Sequence, residues 1–265
     1  MFRLEIPWTQ KPPIGTPIDW SNPLTRGLVG VWAFNEGSGN SLCNIVDGTR
    51  ATIGGTGAQW VPEGLQTATT SNIRLIDNKL NNQSWDEGIS VVWFGRLLDD
   101  NFYYPMLVTQ DDYGTVALNW NFGGLFTTKY IRFEGTTATG IQNLVISDGS
   151  LVMPTSQLIM VLVTRDSNGH GVPYLNGRTS PASSATTTGG GVTTGQEINF
   201  GCRKFGSEFQ TPLIINCVLI FKRGITPLEN QSLYQNPWQI FQPQSTWLPV
   251  AAASVGNPYY CYAQQ

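Results

Sequence analysis

The sequence predicts an all-β protein, an antiparallel β-sandwich or jelly roll. Three observations predict it: many short apolar runs at regular spacing, turn residues between them, and a single convincing helix signal. The 265 residues suffice for one sandwich with a sizeable core. Only 12% of the residues are charged, so the surface is expected to make its contacts through hydroxyls, amides and aromatic rings.

The first predicted strand lies in "GLVGVWAFNEGSG" (27–39), where an apolar run stops at a glycine-rich turn. The run at 89–98 is almost continuously apolar, as expected of a strand buried on both faces, and the run at 156–166 is the most apolar of all. Asn176-Gly177 predicts a type I′ hairpin turn. The other predicted strands are 73–76, 104–110, 116–122, 129–135, 142–148, 172–180, 197–203 and 212–223.

One helix is predicted within residues 224–241. Thr226 is the predicted N-cap, Pro227 takes the first helical position, and Glu229 completes a capping box. Asn236-Pro237 predicts the end of the helix. The side chains expected to face the core are Leu228, Leu233 and Tyr234.

Both ends of the chain are rich in proline and aromatic residues, so we expect two extended arms, residues 1–26 and 242–265, around a domain at 27–241. The N-terminal arm is expected to lie against its own domain or against a neighbouring subunit, and both alternatives stay open. Low charge and costly exposed aromatic rings favour the arms as assembly contacts. The aromatic residues assigned to that role are Trp8, Trp20, Trp247, Tyr259 and Tyr260.

Charge and cysteine usage exclude several function classes. The net charge of −3 without a basic stripe gives no support to nucleic-acid binding. The first 17 residues lack a signal-peptide core and no run is long enough to cross a membrane, so neither secretion by that route nor insertion is expected. The four cysteines form no CxxC pair, which argues against zinc. We expect buried free thiols, with Cys217 the clearest example, as in a reducing cytoplasm.

Four stretches together resemble the laminin-G-like branch of the concanavalin A-like lectin and glucanase jelly rolls. They are "LVGVWAFNEGSGN" (28–40), "WDEGISVVWFGRL" (85–97), "LIMVLVTRDSNGHGVPYLNGR" (158–178) and residues 198–241. Their order and spacing match the family over about 27–241, although each motif is weak alone. The resemblance implies a concanavalin A-like jelly roll.

The sequence departs from that family at two places. Asn216-Cys217 stands where the family often has Asp-Glu, and Ile159 and Met160 stand near the places of two hairpin histidines. These departures argue against transferring a metal site. The proline-rich opening and the "LYQNPWQIFQP" ending resemble laminin-G-like proteins of tailed phages, which implies a virion origin.

Catalytic patterns are missing from the sequence. No E-x-D-x-E occurs, and the acidic pairs Asp86-Glu87, Asp99-Asp100 and Asp111-Asp112 would point to opposite faces if extended. The single histidine, His170, lies in a predicted turn with no assigned nucleophile. We therefore expect no enzymatic activity.

Residues 101–124 mix aromatic rings with amides and carboxylates, as glycan sites do. Trp120 and Phe122 would share one strand face and Asn119 and Asn121 the other, so one side is expected to be core. The candidate glycan ligands are Tyr104, Asp111, Asp112, Tyr113, Asn119 and Asn121. Asp111, Asp112 and one of the two asparagines would also suit calcium, but an Asp-rich turn is the simpler interpretation, and no cofactor or metal is expected.

The leading hypothesis is a non-catalytic phage virion protein for structure or decoration. It would assemble through its arms, contact other virion proteins and its own copies, and bind surface glycans. It would be made in the host cytoplasm and located in the virion. The alternatives are a secreted carbohydrate-binding module and a glycoside hydrolase with an unfamiliar carboxylate arrangement.

Overall fold

The computed structural model is an antiparallel β-sandwich with one short α-helix, which confirms the predicted fold class. The structure describes residues 10–68, 71–75, 87–99, 104–109, 120–124, 130–137, 140–146, 151–179, 198–201 and 212–242. Among these residues, no helix is both long and apolar enough to cross a membrane.

Sixteen strands and one α-helix follow in chain order. They are β1 (Leu28–Trp32), β2 (Ser41–Cys43), β3 (Arg50–Gly55), β4 (Gln59–Val61), β5 (Gly64–Gln66), β6 (Ser71–Leu75), β7 (Gly88–Leu97), β8 (Tyr104–Thr109), β9 (Trp120–Gly124), β10 (Ile131–Thr137), β11 (Gly140–Ile146), β12 (Leu158–Asp166), β13 (Gly171–Leu175), β14 (Arg178–Thr179), β15 (Ile198–Phe200), β16 (Leu213–Phe221) and α1 (Pro227–Gln235). Short 3₁₀ helices span Pro23–Thr25 and Pro237–Ile240.

The strands form two sheets. Sheet 1 has the order β14-β13-β12-β7-β16-β5-β4, and β1 also pairs with β16. Sheet 2 has the order β11-β10-β9-β8-β15-β6-β3-β2. Strands β2 to β5 were not predicted, because three of them have only three residues and β3 ends in two glycines, too short a pattern for alternation to show.

The main core lies between the two sheets. Its largest fully buried side chains include Trp32 and Trp93 from sheet 1 and Phe122, Phe133 and Phe200 from sheet 2. Trp32 meets Phe200 edge to face, with ring centroids 5.1 Å apart, a favoured aromatic geometry. The burial of Phe122 confirms that this face of β9 is core.

A second apolar cluster covers the other face of sheet 1. Val92, Phe94 and Leu162 of the sheet pack with Leu233 and Trp238 of the C-terminal segment. Sheet 1 is therefore buried on both faces, which explains the nearly continuous apolar sequence of β7 and β12.

Helix α1 begins with the predicted capping box: the Thr226 hydroxyl accepts the N–H of Glu229, whose carboxylate accepts the N–H of Thr226. Leu233 is fully buried as predicted, but the prediction for Leu228 is wrong, because 78% of it is exposed. Asn230 and Leu233 mark the buried side of the helix, and Leu228 lies about 200° around the axis from Asn230.

Residues 10–26 of the N-terminal arm lie against their own domain. Ile18 is buried and bridges to Phe241, and the N–H of Asp19 donates to Ile240 O at 2.8 Å. Trp20 remains 58% exposed. The other aromatic residues assigned to assembly, Trp8, Trp247, Tyr259 and Tyr260, lie outside the described residues.

The cysteines divide into two kinds. Cys217 is a buried free thiol, as predicted. For Cys43 the expectation of a free thiol is wrong, because it is disulfide-bonded to a cysteine outside the described residues. Wide spacing along the chain does not reveal which cysteines a sandwich brings together, and so it gave no sign of this bridge.

Candidate functional site

A groove of about 540 Å³ opens at one edge of the sandwich. One wall is residues 10–14 of the arm, the second is the turn after β1 with Phe34, Asn35 and Gly37, and the third is residues 60–62 at the end of β4. Three segments distant in sequence thus meet at a single concave surface, the usual shape of a ligand site. These three walls are called the groove below.

The glycine-rich turn that opens the sequence forms the second wall. Phe34 adopts a positive φ of 47°, uncommon outside glycine, and this reverses the chain directly after β1. Its ring is buried against Phe200, with centroids 5.9 Å apart, which anchors the strained residue. The turn therefore holds Asn35 at the groove in a fixed position.

Two hydrogen bonds fasten the arm to this turn. The Lys11 ammonium donates to Phe34 O at 2.7 Å, and the Asn35 amide N–H donates to Pro12 O at 2.8 Å. The arm therefore forms a wall of the groove only while these contacts hold. Pro12 and Pro13 give that wall a rigid apolar surface.

Trp60 supplies the aromatic surface of the third wall. Its indole N–H donates to Gly39 O at 2.9 Å, which ties the ring to the glycine-rich turn. The residue is half-buried, so part of its ring stays open to the groove beside Val61 and Pro62. A held indole with an exposed surface suits the apolar side of a planar or ring-shaped ligand.

Burial sets the electrostatics around Lys11. It lowers the pKa of the Lys11 ammonium to about 8, and the attraction of Cys217, Glu36 and Glu63 only partly opposes it. Burial also raises the pKa of the Glu36 carboxyl, against the hydrogen bond that its Oε1 accepts from Cys43 N–H at 3.2 Å. The site therefore holds a cation at a cost in solvation.

Two buried oxygen atoms beside the arm have unused acceptor capacity. Asn35 Oδ1 and Glu36 Oε2 accept no hydrogen bond within the described part of the chain. Buried acceptors are nearly always satisfied by protein, water or ligand. These two mark the turn as a place where a further donor would be stabilising.

No carboxylate lines the groove in the part of the chain that the structure describes. Glu36 lies behind the turn, and Glu63 accepts from the Arg96 guanidinium at 3.2 Å. An acid and a nucleophile facing each other across a cleft are the usual requirement for glycoside hydrolysis. The groove as described is built for binding.

The predicted glycan ligands lie elsewhere. Tyr104 in β8 pairs with Gly124, and Asn121 in β9 pairs with Val108 and Glu134, so the two stand near different ends of one hairpin in sheet 2. The remaining candidates, Asp111, Asp112, Tyr113 and Asn119, lie outside the described residues, and so the calcium alternative that uses them is untested. The structure therefore does not bring these candidates together at the groove.

Lys11, Asn35 and Trp60 were missed by the sequence reasoning. Each lies in a different segment, and only the fold of β1 and β4 brings them to one place. The available signals were the glycine-rich turn at 34–39 and the isolated tryptophan after a polar run. Neither signal indicates its spatial partner.

Comparison with known proteins shows likeness in fold alone. No protein family matches the sequence, and no curated protein matches it. Domain 4 of AbnA, an extracellular GH43 arabinanase from Geobacillus stearothermophilus solved in complex with arabinotriose, is similar in structure. Its TM-score is 0.62 at 16% identity, covering 78% of this chain and 98% of that domain.

Two further solved structures share the fold. The binding domain of Paraclostridial Mosquitocidal Protein 1 has a TM-score of 0.62 at 15% identity, over 82% of this chain and 53% of the other. Trypanosoma rangeli sialidase in complex with sialic acid has a TM-score of 0.58 at 13% identity, over 86% of this chain. The chain spans 36% of the sialidase and so corresponds to only part of it.

Proposed function

We propose that this protein is a non-catalytic glycan-binding module and that the groove is its sugar site. One observation carries the proposal. The groove combines the open ring of Trp60 and two proline-bearing walls with a lysine that has unused donors. Sugar rings have one apolar and one hydroxyl-bearing side, and such a combination serves both.

The two kinds of contact have separate roles in the proposed complex. The indole of Trp60, held by Gly39, receives the C–H face of a pyranose or furanose ring. Lys11 donates to sugar oxygens, because its ammonium has three N–H donors and only Phe34 O accepts one among the described residues. Asn35 Oδ1 becomes an acceptor for a sugar hydroxyl after a small opening of the turn.

The structural neighbours support this choice of ligand class by analogy. The AbnA domain was solved with arabinotriose and matches this chain over nearly its whole length. A shared fold does not determine function, so the analogy adds to the groove geometry and does not replace it. The absence of a carboxylate along the described groove walls favours binding without hydrolysis.

We further propose that the module belongs to a phage virion, where it decorates the particle and contacts other virion proteins. The support is the low charge, the aromatic residues at both ends and the phage-like opening and ending. The exposed ring of Trp20 offers one contact on the described arm. Native mass measurement of the full chain tests this part: a Trp20→Ala variant is expected to lower its oligomeric state, and a monomeric wild-type chain would argue against assembly.

A glycan array probed with the labelled full chain tests the sugar site. We expect binding that Trp60→Ala reduces at least tenfold, since removing a stacking ring costs about 1.4 kcal/mol or more. Trp20→Ala is the matched control, because it removes an equally large exposed ring outside the groove. Retained binding in Trp60→Ala, or no binding by the wild-type chain to any glycan, would overturn the proposed site.

A hydrolysis assay on the glycans that bind completes the test. Incubation of each bound oligosaccharide with the full chain should leave its length unchanged. Product formation that carboxylate substitution abolishes would instead show an enzyme.

A further inference from the structure

We propose that the groove selects saccharides that carry a carboxylate, such as hexuronic-acid oligosaccharides, with the carboxylate bound by Lys11. This rests on the proposed function, since it names the ligand class of the same groove. The argument depends on where the charges around the groove are placed.

Lys11 is the only charged residue among those that line the groove in the described chain. The other lining residues are apolar, an amide or glutamine side chain, and glycine, so nothing in the lining offsets its charge. A ligand that enters meets one cation and no anion. This charge distribution favours an acidic sugar over a neutral one.

The Lys11 ammonium lacks a carboxylate partner. Its one described hydrogen bond goes to the carbonyl of Phe34, at 2.7 Å, and no described carboxylate forms an ion pair with it. A carbonyl holds one of three N–H donors and carries no net charge. Two donors are therefore available for a carboxylate, which forms stronger bonds with an ammonium than a neutral oxygen does.

The acidic groups near Lys11 are engaged elsewhere. Glu63, at the β4–β5 turn, is paired with Arg96, and Glu36, behind the β1 turn, accepts from Cys43 N–H. Cys217 of β16 is the remaining titratable neighbour, and burial raises the pKa of its thiol to about 12, so it stays neutral. These groups attract Lys11 from a distance but leave its donors unfilled.

Desolvation strengthens the selection. Burial lowers the pKa of Lys11 to about 8, which means that the enclosed charge lacks adequate solvation or pairing. A bound carboxylate would supply that pairing and raise the pKa of Lys11 again. Binding should then be linked to proton uptake whenever free Lys11 is partly deprotonated.

The linkage predicts a pH dependence with a definite sign. With a pKa near 8, the charged fraction of free Lys11 falls about tenfold from pH 7 to pH 9, so affinity for an acidic sugar should fall about tenfold over that range. Affinity for a neutral sugar should stay nearly constant, because an uncharged amine still donates hydrogen bonds.

Calorimetric titration of the full chain with paired probes tests the proposal. Each pair is a uronic-acid oligosaccharide, of galacturonate, mannuronate or glucuronate type, and its methyl ester, which has the same rings without the charge. We expect at least one free acid to bind tenfold or more tightly than its ester at pH 7, with the loss at pH 9 described above. Equal binding of acid and ester in every pair, or no binding of any acid, would overturn the proposal.

Variants separate this inference from the proposed function. Lys11→Met should remove the preference for the acid and its pH dependence, while Lys11→Arg should retain the preference and lose the pH dependence. Lys222→Met is the control, since Lys222 lies outside the groove. If neutral glycans bind and Trp60→Ala abolishes that binding, the sugar site stands even when the acidic preference fails. A preference that persists in a folded Lys11→Met, checked by circular dichroism, would contradict the role of Lys11.

Discussion

Arg223 and Glu229 form a two-pronged ion pair at the start of helix α1, with Nη2 to Oε1 at 2.7 Å and Nη1 to Oε2 at 2.9 Å. Oε2 also accepts from the N–H and the hydroxyl of Thr226. The same carboxylate therefore completes the helix cap and joins it to the segment that follows β16. Charge-assisted bonds of this geometry are among the stronger polar contacts in proteins.

Replacing Glu229 should destabilise the protein mildly and in a pH-dependent way. Glu229→Gln removes the charge from both the cap and the pair, at an expected cost of about 1–2 kcal/mol at pH 7. Burial works to raise the pKa of Glu229, but the hydrogen bonds from Arg223 and Thr226 bring it below its usual range. The stabilisation is thus present above the unfolded pKa and is lost as pH falls through the folded one.

Urea unfolding at pH 7 and at pH 3 measures this effect. The wild-type chain should lose its advantage over Glu229→Gln at the lower pH. Gln235→Ala, on the exposed end of the same helix, should change stability by less than about 0.5 kcal/mol. An advantage that is equal at both pH values would mean that the charge contributes nothing.

Gly95 in β7 should not tolerate a side chain. A Cβ atom there would lie 2.1 Å from Ile214 O of β16 and 2.4 Å from the ring of Trp93, both fixed in the sandwich. Gly95→Ala should cost about 3 kcal/mol or prevent folding, because neither neighbour can move without opening the core. Gly224→Ala is the matched control, with its nearest neighbour at 3.5 Å. Thermal unfolding of both variants decides the matter, and similar melting temperatures would show that β7 and β16 adjust easily.

A buried hydroxyl pair connects sheet 1 to the helix. The Ser90 hydroxyl donates to Arg223 O at 2.7 Å, and the N–H of Ile225 is shared by Ser90 Oγ, at 3.0 Å, and Thr164 Oγ1, at 2.9 Å. Thr164→Val keeps the shape but removes one acceptor, so we expect a loss of about 1–2 kcal/mol. Thr52→Val, on exposed β3, should be nearly neutral. Denaturant midpoints that do not separate the two variants would remove Thr164 from this account.

Lys11 should make stability depend on alkaline pH. Its pKa drops from 10.5 when solvated to about 8 in the fold, so the unfolded chain binds more protons between these values. Wild-type stability should therefore rise relative to Lys11→Met as pH increases from 8 to 10.5, by up to about 3 kcal/mol. Chemical unfolding at pH 7.5, 9 and 10.5 checks this rise. A constant difference between the two proteins would show that Lys11 is well solvated.

Sequence reasoning predicted the elements whose local pattern is strong. The apolar runs of β7 and β12 exceed the usual alternation because a second apolar layer covers sheet 1, and Thr226, Pro227 and Glu229 form a local capping signature. Short strands such as β4 and β5 carry no such pattern. Their pairing comes from tertiary contact with β16.

The groove was not predictable for a related reason. Its walls come from the arm, from the turn after β1 and from β4, and the Lys11–Phe34 contact spans 23 positions of sequence. Periodicity reports which face of an element is buried but not which distant loops meet. The composition-based choice of residues 101–124 selected suitable chemistry without any spatial constraint.

The bridge between Ile18 and Phe241 brings the incoming and outgoing polypeptide together. Gln242 N–H donates to Pro17 O at 3.0 Å, so the chain passes into and out of the sandwich side by side. A unit with adjoining termini can be placed within a surface loop of a host protein, or be circularly permuted, without stretching either junction. Cargo fused before residue 10 or after residue 242 would emerge from the same pole of the molecule.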